Sequence, residues 1–217
     1  MPIGDFGVSG ANMRTLVIRL IRMNKRASKQ AVSDDFYERI KPRLHKRIGR
    51  ELRLARQVLD IGCGSCDLVR YLAETYGQEV TGVDVVSNSF PKRRGGVRFR
   101  CLQRDAGRLK FAADGSADAV VTMWALHEMQ DPAAVLAEAR RLLRPGGELL
   151  IVDFPKDSLA QKLWNEGYYH PEKVKRLLAE IGFSDIRVRL IERDQVIWAR
   201  AHEPAAKIVE ARGGERT

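Results

Sequence analysis

The chain has 217 residues, of which 44% are hydrophobic and 30% charged, as in ordinary globular proteins. This length suits one domain with a modest appendage. No stretch approaches the roughly 20 apolar residues of a spanning helix, and Arg19 directly follows the early apolar run Leu16–Ile18, which argues against a signal peptide. Three cysteines predict no disulfide framework, so we expect a reducing, cytoplasmic setting.

The net charge of +10 comes from one part of the chain. Residues 13–56 contain 14 Lys or Arg and 4 Asp or Glu, while 24 basic and 24 acidic residues balance elsewhere. Residues 13–26 have the apolar spacing of an amphipathic helix, and a second helical segment is predicted from Asp34 to about Leu54. We expect residues 1–50 to form a basic helical cap.

From Arg56 onward, short apolar segments alternate with helical ones. The predicted strands are 57–61, 79–83, 97–102, 117–123, 148–152, 183–190 and 194–200. Three helices are predicted. The first follows the glycine loop after the first strand and ends at about Tyr76, the second runs from Asp131 to about Arg144, and the third runs from Pro171 to Gly182. This alternation predicts an α/β fold over residues 51–202, with seven strands, mostly parallel, and helices on both faces. Residues 203–217 are expected to form a polar tail.

A glycine loop, Gly62-Cys63-Gly64, follows the first strand and precedes a helix. Glycines allow close approach of the backbone to a ligand, and a helix N-terminus supplies N–H donors. The dinucleotide-binding pattern needs a third glycine at the position of Asp67, where a carboxylate would instead repel pyrophosphate. The loop therefore favours a ligand without phosphates.

Two carboxylates follow the next two strands. Asp84 comes 22 residues after Gly62, where a carboxylate can accept hydrogen bonds from ribose hydroxyls. Asp105 can accept from an adenine amino group, or it can be a turn residue or helix cap. Two such residues after a glycine loop predict a nucleoside site.

Several segments in order resemble class I S-adenosylmethionine-dependent methyltransferases. Val58–Gly64 is similar to their motif I, Thr81–Asp84 to the ribose-binding strand end, and Asp105 through Val121 to the adenine-site and fourth-strand segments. Leu142–Leu149 resembles the fifth-strand entry of the type 11 subgroup, which includes quinone-biosynthesis C-methyltransferases. The resemblance covers residues 36–200 and implies a Rossmann-like fold with S-adenosylmethionine as cofactor.

The resemblance also implies roles for individual residues. The cofactor's methionine end would pass along Gly62, Cys63 and Gly64, with Asp60 orienting the loop or the cofactor's amine, and Asp84 would hold the ribose. Asp105 and the Ala106 amide would hold the adenine, and we count Val85 and Trp124 among the cofactor contacts. Two departures stand out: Cys66 occupies a position usually held by glycine, and the segment 87–96 is too short for the usual helix.

The fourth strand is followed by His127, where the acceptor should meet the methyl group. Its ordinary pKa suits a general base near neutral pH, although a loop-packing role is the alternative. Asp153, after the fifth strand, is a second candidate, with capping as its alternative. Further side chains that could close the site or serve as packing are aromatic: Tyr37, Trp164, Tyr168 and Tyr169.

The sequence leaves other functions open. Cys63 and Cys66 have the spacing of half a zinc site, but without a second pair we predict no metal, and Cys101 is expected to be a buried strand residue. Residues 13–56 could contact an anionic membrane, RNA or a second copy of the chain. We predict methyl transfer to a small-molecule acceptor; a binding protein without efficient catalysis and an RNA or protein methyltransferase are the alternatives.

Overall fold

The computed structural model describes residues 36–86 and 98–205. Residues 36–42 belong to one unit of the chain, and the described residues from Arg43 onward belong to a second. Residues 36–42 of the first are helical, and residues 43–51 of the second form a helix, α1. These residues confirm part of the helical segment predicted from Asp34.

Several sequence predictions lie outside the described residues. They are the amphipathic helix 13–26, the segment 87–96, and most of the tail 203–217. The predicted domain boundaries at residues 50 and 202 stay predictions. Among the residues that the structure does describe, no helix is both long and apolar enough to cross a membrane.

Seven strands form one sheet in the order β3-β2-β1-β4-β5-β7-β6. The strands are β1 Gln57–Ile61, β2 Glu79–Asp84, β3 Phe99–Gln103, β4 Ala117–Met123, β5 Leu143–Asp153, β6 Ser184–Ile191 and β7 Val196–His202. β1 to β5 pair in parallel, whereas β7 is antiparallel to both β5 and β6. The predicted seven-stranded, mostly parallel sheet is confirmed.

Four further helices connect the strands. They are α2 Asp67–Tyr76, α3 Pro132–Leu142, α4 Leu159–Trp164 and α5 Pro171–Ile181. The Asp131 carboxylate caps α3 by accepting from the Ala134 amide at 2.9 Å, as its position before a proline predicts. Helix α4 is too short to give a periodic signal and was not predicted.

Helices cover both faces of the sheet. On one face, α3 and α5 contact each other and pack on a core that includes Leu149 and Ile151 of β5. The opposite face is covered by α1, whose Arg47 guanidinium lies 4.7 Å from the centre of the Trp198 ring, and by α2. Side chains alternate across a strand, so the apolar run Leu149–Val152 of β5 faces a helix layer on each side.

Strand β5 begins five residues earlier than the sequence predicts. Leu143 pairs with Ala117, and the register then shifts before Glu148 pairs with Ala119. The intervening Arg144 to Gly147 stretch forms an irregularity that a proline and two glycines tolerate. Strand β5 is longer than predicted because Leu143 pairs with Ala117 of β4, which is distant in sequence.

Helix α2 approaches β2 very closely at Gly82. A Cβ atom on Gly82 would lie 2.7 Å from Cγ2 of Val69 in α2 and 2.8 Å from Sγ of Cys63. This distance is shorter than van der Waals contact, so only glycine allows the helix and the preceding loop to lie where they do. Gly82 thereby sets the position of the glycine loop above the sheet.

We expect Gly82→Ala to lower the free energy of unfolding by about 1–3 kcal/mol, since the added methyl group overpacks the α2–β2 contact. Urea unfolding followed by circular dichroism measures this change. Gly167→Ala is the matched control, because a Cβ there meets no atom within 4 Å, and its unfolding free energy should be unchanged or slightly higher. Equal stabilities for the two variants would contradict the close approach.

Candidate active site

The predicted site residues gather at the carboxyl ends of the parallel strands. The glycine loop follows β1, Asp84 ends β2, Trp124 follows β4 and Asp153 ends β5. The chain order of the strands reverses between the neighbours β1 and β4. Ligands of open α/β sheets bind at such a switch point, because the loops diverge there and leave a crevice.

The glycine loop adopts a conformation that requires glycine. Gly62 has φ +74°, and a Cβ there would lie 2.2 Å from Cβ of Ala125. The Gly62 and Cys63 amides both donate to the carbonyl oxygen of Val83, at 2.8 and 3.1 Å. Gly64 has φ +50° and open space beside it, as a ligand-facing position needs.

The Asp84 carboxylate holds the loop and the end of β2 together. One oxygen accepts from the Gly64 amide at 2.8 Å and the other from the Val86 amide at 2.9 Å. A carboxylate oxygen can accept more than one hydrogen bond, so both oxygens can still receive ribose hydroxyls. Val85, directly after it, is 66% exposed and offers an apolar surface at the same edge.

Asp60 is the buried carboxylate of the site. Its side chain is 2% exposed, and its Oδ1 has no hydrogen-bond partner among the described residues. Burial, with a smaller contribution from the negative charge of Asp84, raises the pKa of Asp60 to about 7. A buried acceptor without a partner is costly, so this atom is suited to a cationic donor supplied by a ligand.

Asp105 and Ala106 follow the carboxyl end of β3, at the same edge of the sheet as the glycine loop and Asp84. Asp105 is exposed, and its Oδ1 accepts from the Gly107 amide at 2.8 Å, which is the turn geometry named as its alternative. Ala106 is half-buried. The adenine-binding role of these two residues stays a prediction.

The predicted absence of a disulfide is wrong. Cys66 is bonded to Cys101 of β3, and the Cα atoms are 6.5 Å apart. Cys66 precedes α2 and has φ +65°, the left-handed conformation that favours glycine, which explains why glycine is usual at this position. No local pattern indicates the pair, because 35 residues separate the two cysteines and parallel pairing of β2 with β3 brings them together.

His127 lies in a short 3₁₀ turn, Leu126–Glu128, after β4. Asp153 accepts from the His127 backbone amide at 3.0 Å, lies 2.7 Å from Nδ1 of its ring, and also accepts from the Phe154 amide at 2.7 Å. Because this carboxylate is 2% exposed, it needs donors, and Nδ1 therefore carries a proton. Asp153 thus holds the ring with Nε2 turned away from it.

Two glutamates face that Nε2 atom. Glu166 Oε2 lies 3.1 Å from it and Glu128 Oε1 lies 3.8 Å from it. Burial opposes a charged imidazole, but the hydrogen bond and charge of Asp153, with the charges of Glu128 and Glu166, outweigh burial and raise the pKa of His127. The imidazolium form persists to higher pH than in an exposed histidine.

Aromatic rings surround the histidine. Trp124 stacks on Phe154 with ring centres 5.2 Å apart, and the Tyr168 ring lies 4.6 Å from that of His127. The Trp164 ring also packs on Phe154, with ring centres 5.4 Å apart. Trp124 has φ +59°, which is unusual for a bulky residue and is compatible with a functional position.

The sequence did not single out Glu166, Glu128 or Phe154. Glu166 lies in the coil between α4 and α5, 39 residues after His127, and no spacing pattern connects the two. Glu166 reaches the His127 ring because β4 and β5 end side by side and the chain comes back to these strand ends after α4.

Residues 59–151 match a protein family described as "Methyltransferase domain". A demethylmenaquinone methyltransferase from Thermus thermophilus is 34% identical over 46% of this chain and 48% of its own length. Phosphoethanolamine N-methyltransferase 1 from Triticum aestivum is 29% identical over 63% of this chain and 30% of its own length. The resemblance to this family and to quinone-biosynthesis enzymes is confirmed, although the chain spans less than half the length of these two relatives.

Among solved structures, a 1,6-didemethyltoxoflavin-N1-methyltransferase from Burkholderia thailandensis is similar over 93% of both chains. Its TM-score is 0.59 and its sequence identity is 23%. At that identity the likeness shows the fold alone, and it confirms the Rossmann-like prediction.

We expect an NMR titration of the His127 ring to give a pKa above the ordinary 6.5, and Asp153→Asn to lower it. The elevated pKa means that the imidazolium form stabilises the fold. This stabilisation is fully present below about pH 6.5 and is lost as the pH rises through the pKa of the folded state. A His127 pKa below 6.5 would contradict the assigned environment.

Proposed function

We propose that this chain, whose residues 59–151 match the methyltransferase domain family, transfers a methyl group from S-adenosylmethionine to a small-molecule acceptor. The observation that carries the proposal is the buried Asp60 oxygen without a partner beside the glycine loop. This acceptor is too deeply buried to be satisfied by bulk water.

The described residues fit this cofactor. The ammonium group of its methionine end would donate to Asp60, and the open side of Gly64 leaves room for the chain of that end. Asp84 would accept the ribose hydroxyls while it keeps its bond to the loop. S-adenosylmethionine supplies an electrophilic methyl group on a sulfonium, so the protein mainly has to align the acceptor and exclude water.

His127 would act as the general base for an acceptor that must lose a proton. Asp153 holds Nδ1 protonated, so Nε2 is the atom that can accept a proton. Glu166 and Glu128 would stabilise the imidazolium that forms, because both carboxylates face Nε2. The rings of Trp124, Phe154 and Tyr168 would shield this point from water.

The acceptor is proposed only as a chemical class, a small molecule. Relatives that act on phosphoethanolamine and on demethylmenaquinone support a small molecule. A cytoplasmic location, and contact of residues 13–56 with an anionic membrane, RNA or a second copy, remain predictions from the sequence.

Incubation of the chain with methyl-labelled S-adenosylmethionine and a fractionated metabolite extract tests the proposal. Transfer of label to a small-molecule fraction is the expected result. Label that appears only in protein or RNA would point to the alternative substrates, and no label in any fraction would favour a binding protein.

We expect Asp60→Asn to raise the Kd for S-adenosylmethionine about 10- to 100-fold, as for the loss of a hydrogen bond between charged groups. A proton on Asp60 competes with the cofactor's ammonium, so in the wild type the Kd should also rise as the pH falls below about 7. Isothermal titration calorimetry from pH 6 to 8 measures both effects.

Asp114→Asn is the control for that measurement, because Asp114 is exposed near the amino end of β4 and contacts Arg141. Its Kd and pH dependence should equal those of the wild type. If Asp60→Asn bound the cofactor as tightly as wild type at pH 8, the assignment of Asp60 would be wrong.

With the acceptor found in the extract, His127→Ala should lower kcat by about 10²- to 10⁴-fold. In the wild type, kcat should rise with pH through a pKa above 6.5, since Nε2 must be unprotonated to accept a proton. Glu166→Gln should move this rise to lower pH, because one carboxylate that raises the pKa of His127 is removed. A pH profile that does not change in Glu166→Gln would exclude this role for the glutamate.

A further inference from the structure

The three cysteines of the chain converge where the glycine loop enters α2. Cys66 is bonded to Cys101, and the Cys63 Sγ lies 3.6 Å from the Cys66 Sγ. A group of three sulfurs this close could hold a soft metal ion, but two of them are already bonded to each other.

The bond connects two segments that serve the same site. Cys66 ends the loop that begins at Gly62, and its amide donates to the Cys63 carbonyl at 2.8 Å. Cys101 pairs with Gly82 in the sheet and lies four residues before Asp105. One end of the bond therefore fixes the segment proposed for the methionine end of the cofactor, and the other fixes the strand leading to the segment predicted for the adenine.

The backbone at Cys66 gives the bond a mechanical role. A left-handed backbone conformation is less favourable for a residue with a side chain than for glycine, and it persists where the surroundings hold it. Cys66 is 1% exposed and has φ +65°. The link to β3 is a covalent restraint that holds its side chain in this conformation.

We propose that Cys66 and Cys101 are positioning residues of the cofactor site, and that reduction of their bond loosens the glycine loop and weakens cofactor binding. This inference rests on the proposed function. A dithiol reductant would attack one sulfur through a thiolate, pass through a mixed disulfide, and leave as a cyclic disulfide. The protein gains two electrons and two protons and ends with two thiols. Cys101 is half-buried, whereas Cys66 is buried.

Cys63 does not readily rearrange the bond. Attack by its thiolate on Cys66 would form a Cys63–Cys66 bond and release Cys101 as a thiolate. Burial, and the carboxylates of Asp60 and Asp84, raise the pKa of the Cys63 thiol, so the thiolate is scarce at neutral pH. The state of the Cys66–Cys101 pair is therefore set by external thiols.

The test is calorimetric titration of the full chain with S-adenosylhomocysteine, before and after treatment with dithiothreitol. We expect the Kd to rise about 5- to 20-fold on reduction. Cys66→Ser and Cys101→Ser should show the weaker affinity from the start and no response to reductant, while Cys63→Ser should keep the response. Under denaturing, non-reducing conditions, thiol titration should find one free thiol per chain, and three would overturn the inference.

Two further measurements separate positioning from loss of folding. Circular dichroism should show the same secondary structure in the oxidised, reduced and Cys101→Ser proteins at the assay temperature. In the methyl-transfer assay, reduction should raise KM for the cofactor and leave kcat within about twofold. Equal affinity in the oxidised and reduced protein would refute this inference alone, whereas no binding in either state would refute the proposed function.

Discussion

The site depends on how closely α2 lies against β2. At Gly82 the sheet has no side chain, so Val69 and Cys63 occupy the space where a Cβ would be. This contact places the first turn of α2, and with it the glycine loop, directly over the ends of β1 and β2. Asp84 can then reach the Gly64 amide, and Cys66 can reach Cys101. A larger residue at position 82 would separate all of these pairs at once.

The electrostatics of the crevice follow from burial at these strand ends. Asp60 and Asp153 are each 2% exposed, yet they differ in their partners. Asp153 accepts three hydrogen bonds from within the protein, and two of them orient His127. Asp60 leaves one oxygen without a partner among the described residues, which keeps it available to a ligand. Asp153 therefore orients a side chain of the protein, whereas Asp60 can bind a ligand, and the difference lies in their hydrogen bonds.

The fold was largely predictable because its signals are local. Apolar segments of strand length alternate with amphipathic helices, and Asp131-Pro132 and Gly182 mark helix ends. Errors occurred where pairing with a distant segment decided the outcome. Leu143 is a strand residue because Ala117 lies beside it, and helix α4 contains too few residues for a periodic pattern.

The sequence by itself determined the glycine loop and the positions of the carboxylates that follow the second and third strands, since close backbone approach demands glycine and a predicted hydroxyl-binding position demands an acceptor at a fixed spacing. It also marked Cys66 as out of place in that loop. Only the tertiary structure decided what Cys66 does, because its partner Cys101 lies on a strand brought alongside by parallel pairing. The same holds for the surroundings of His127. Asp153 and Glu166 reach its ring through the packing of β4, β5 and the chain after α4, and no local pattern encodes those distances.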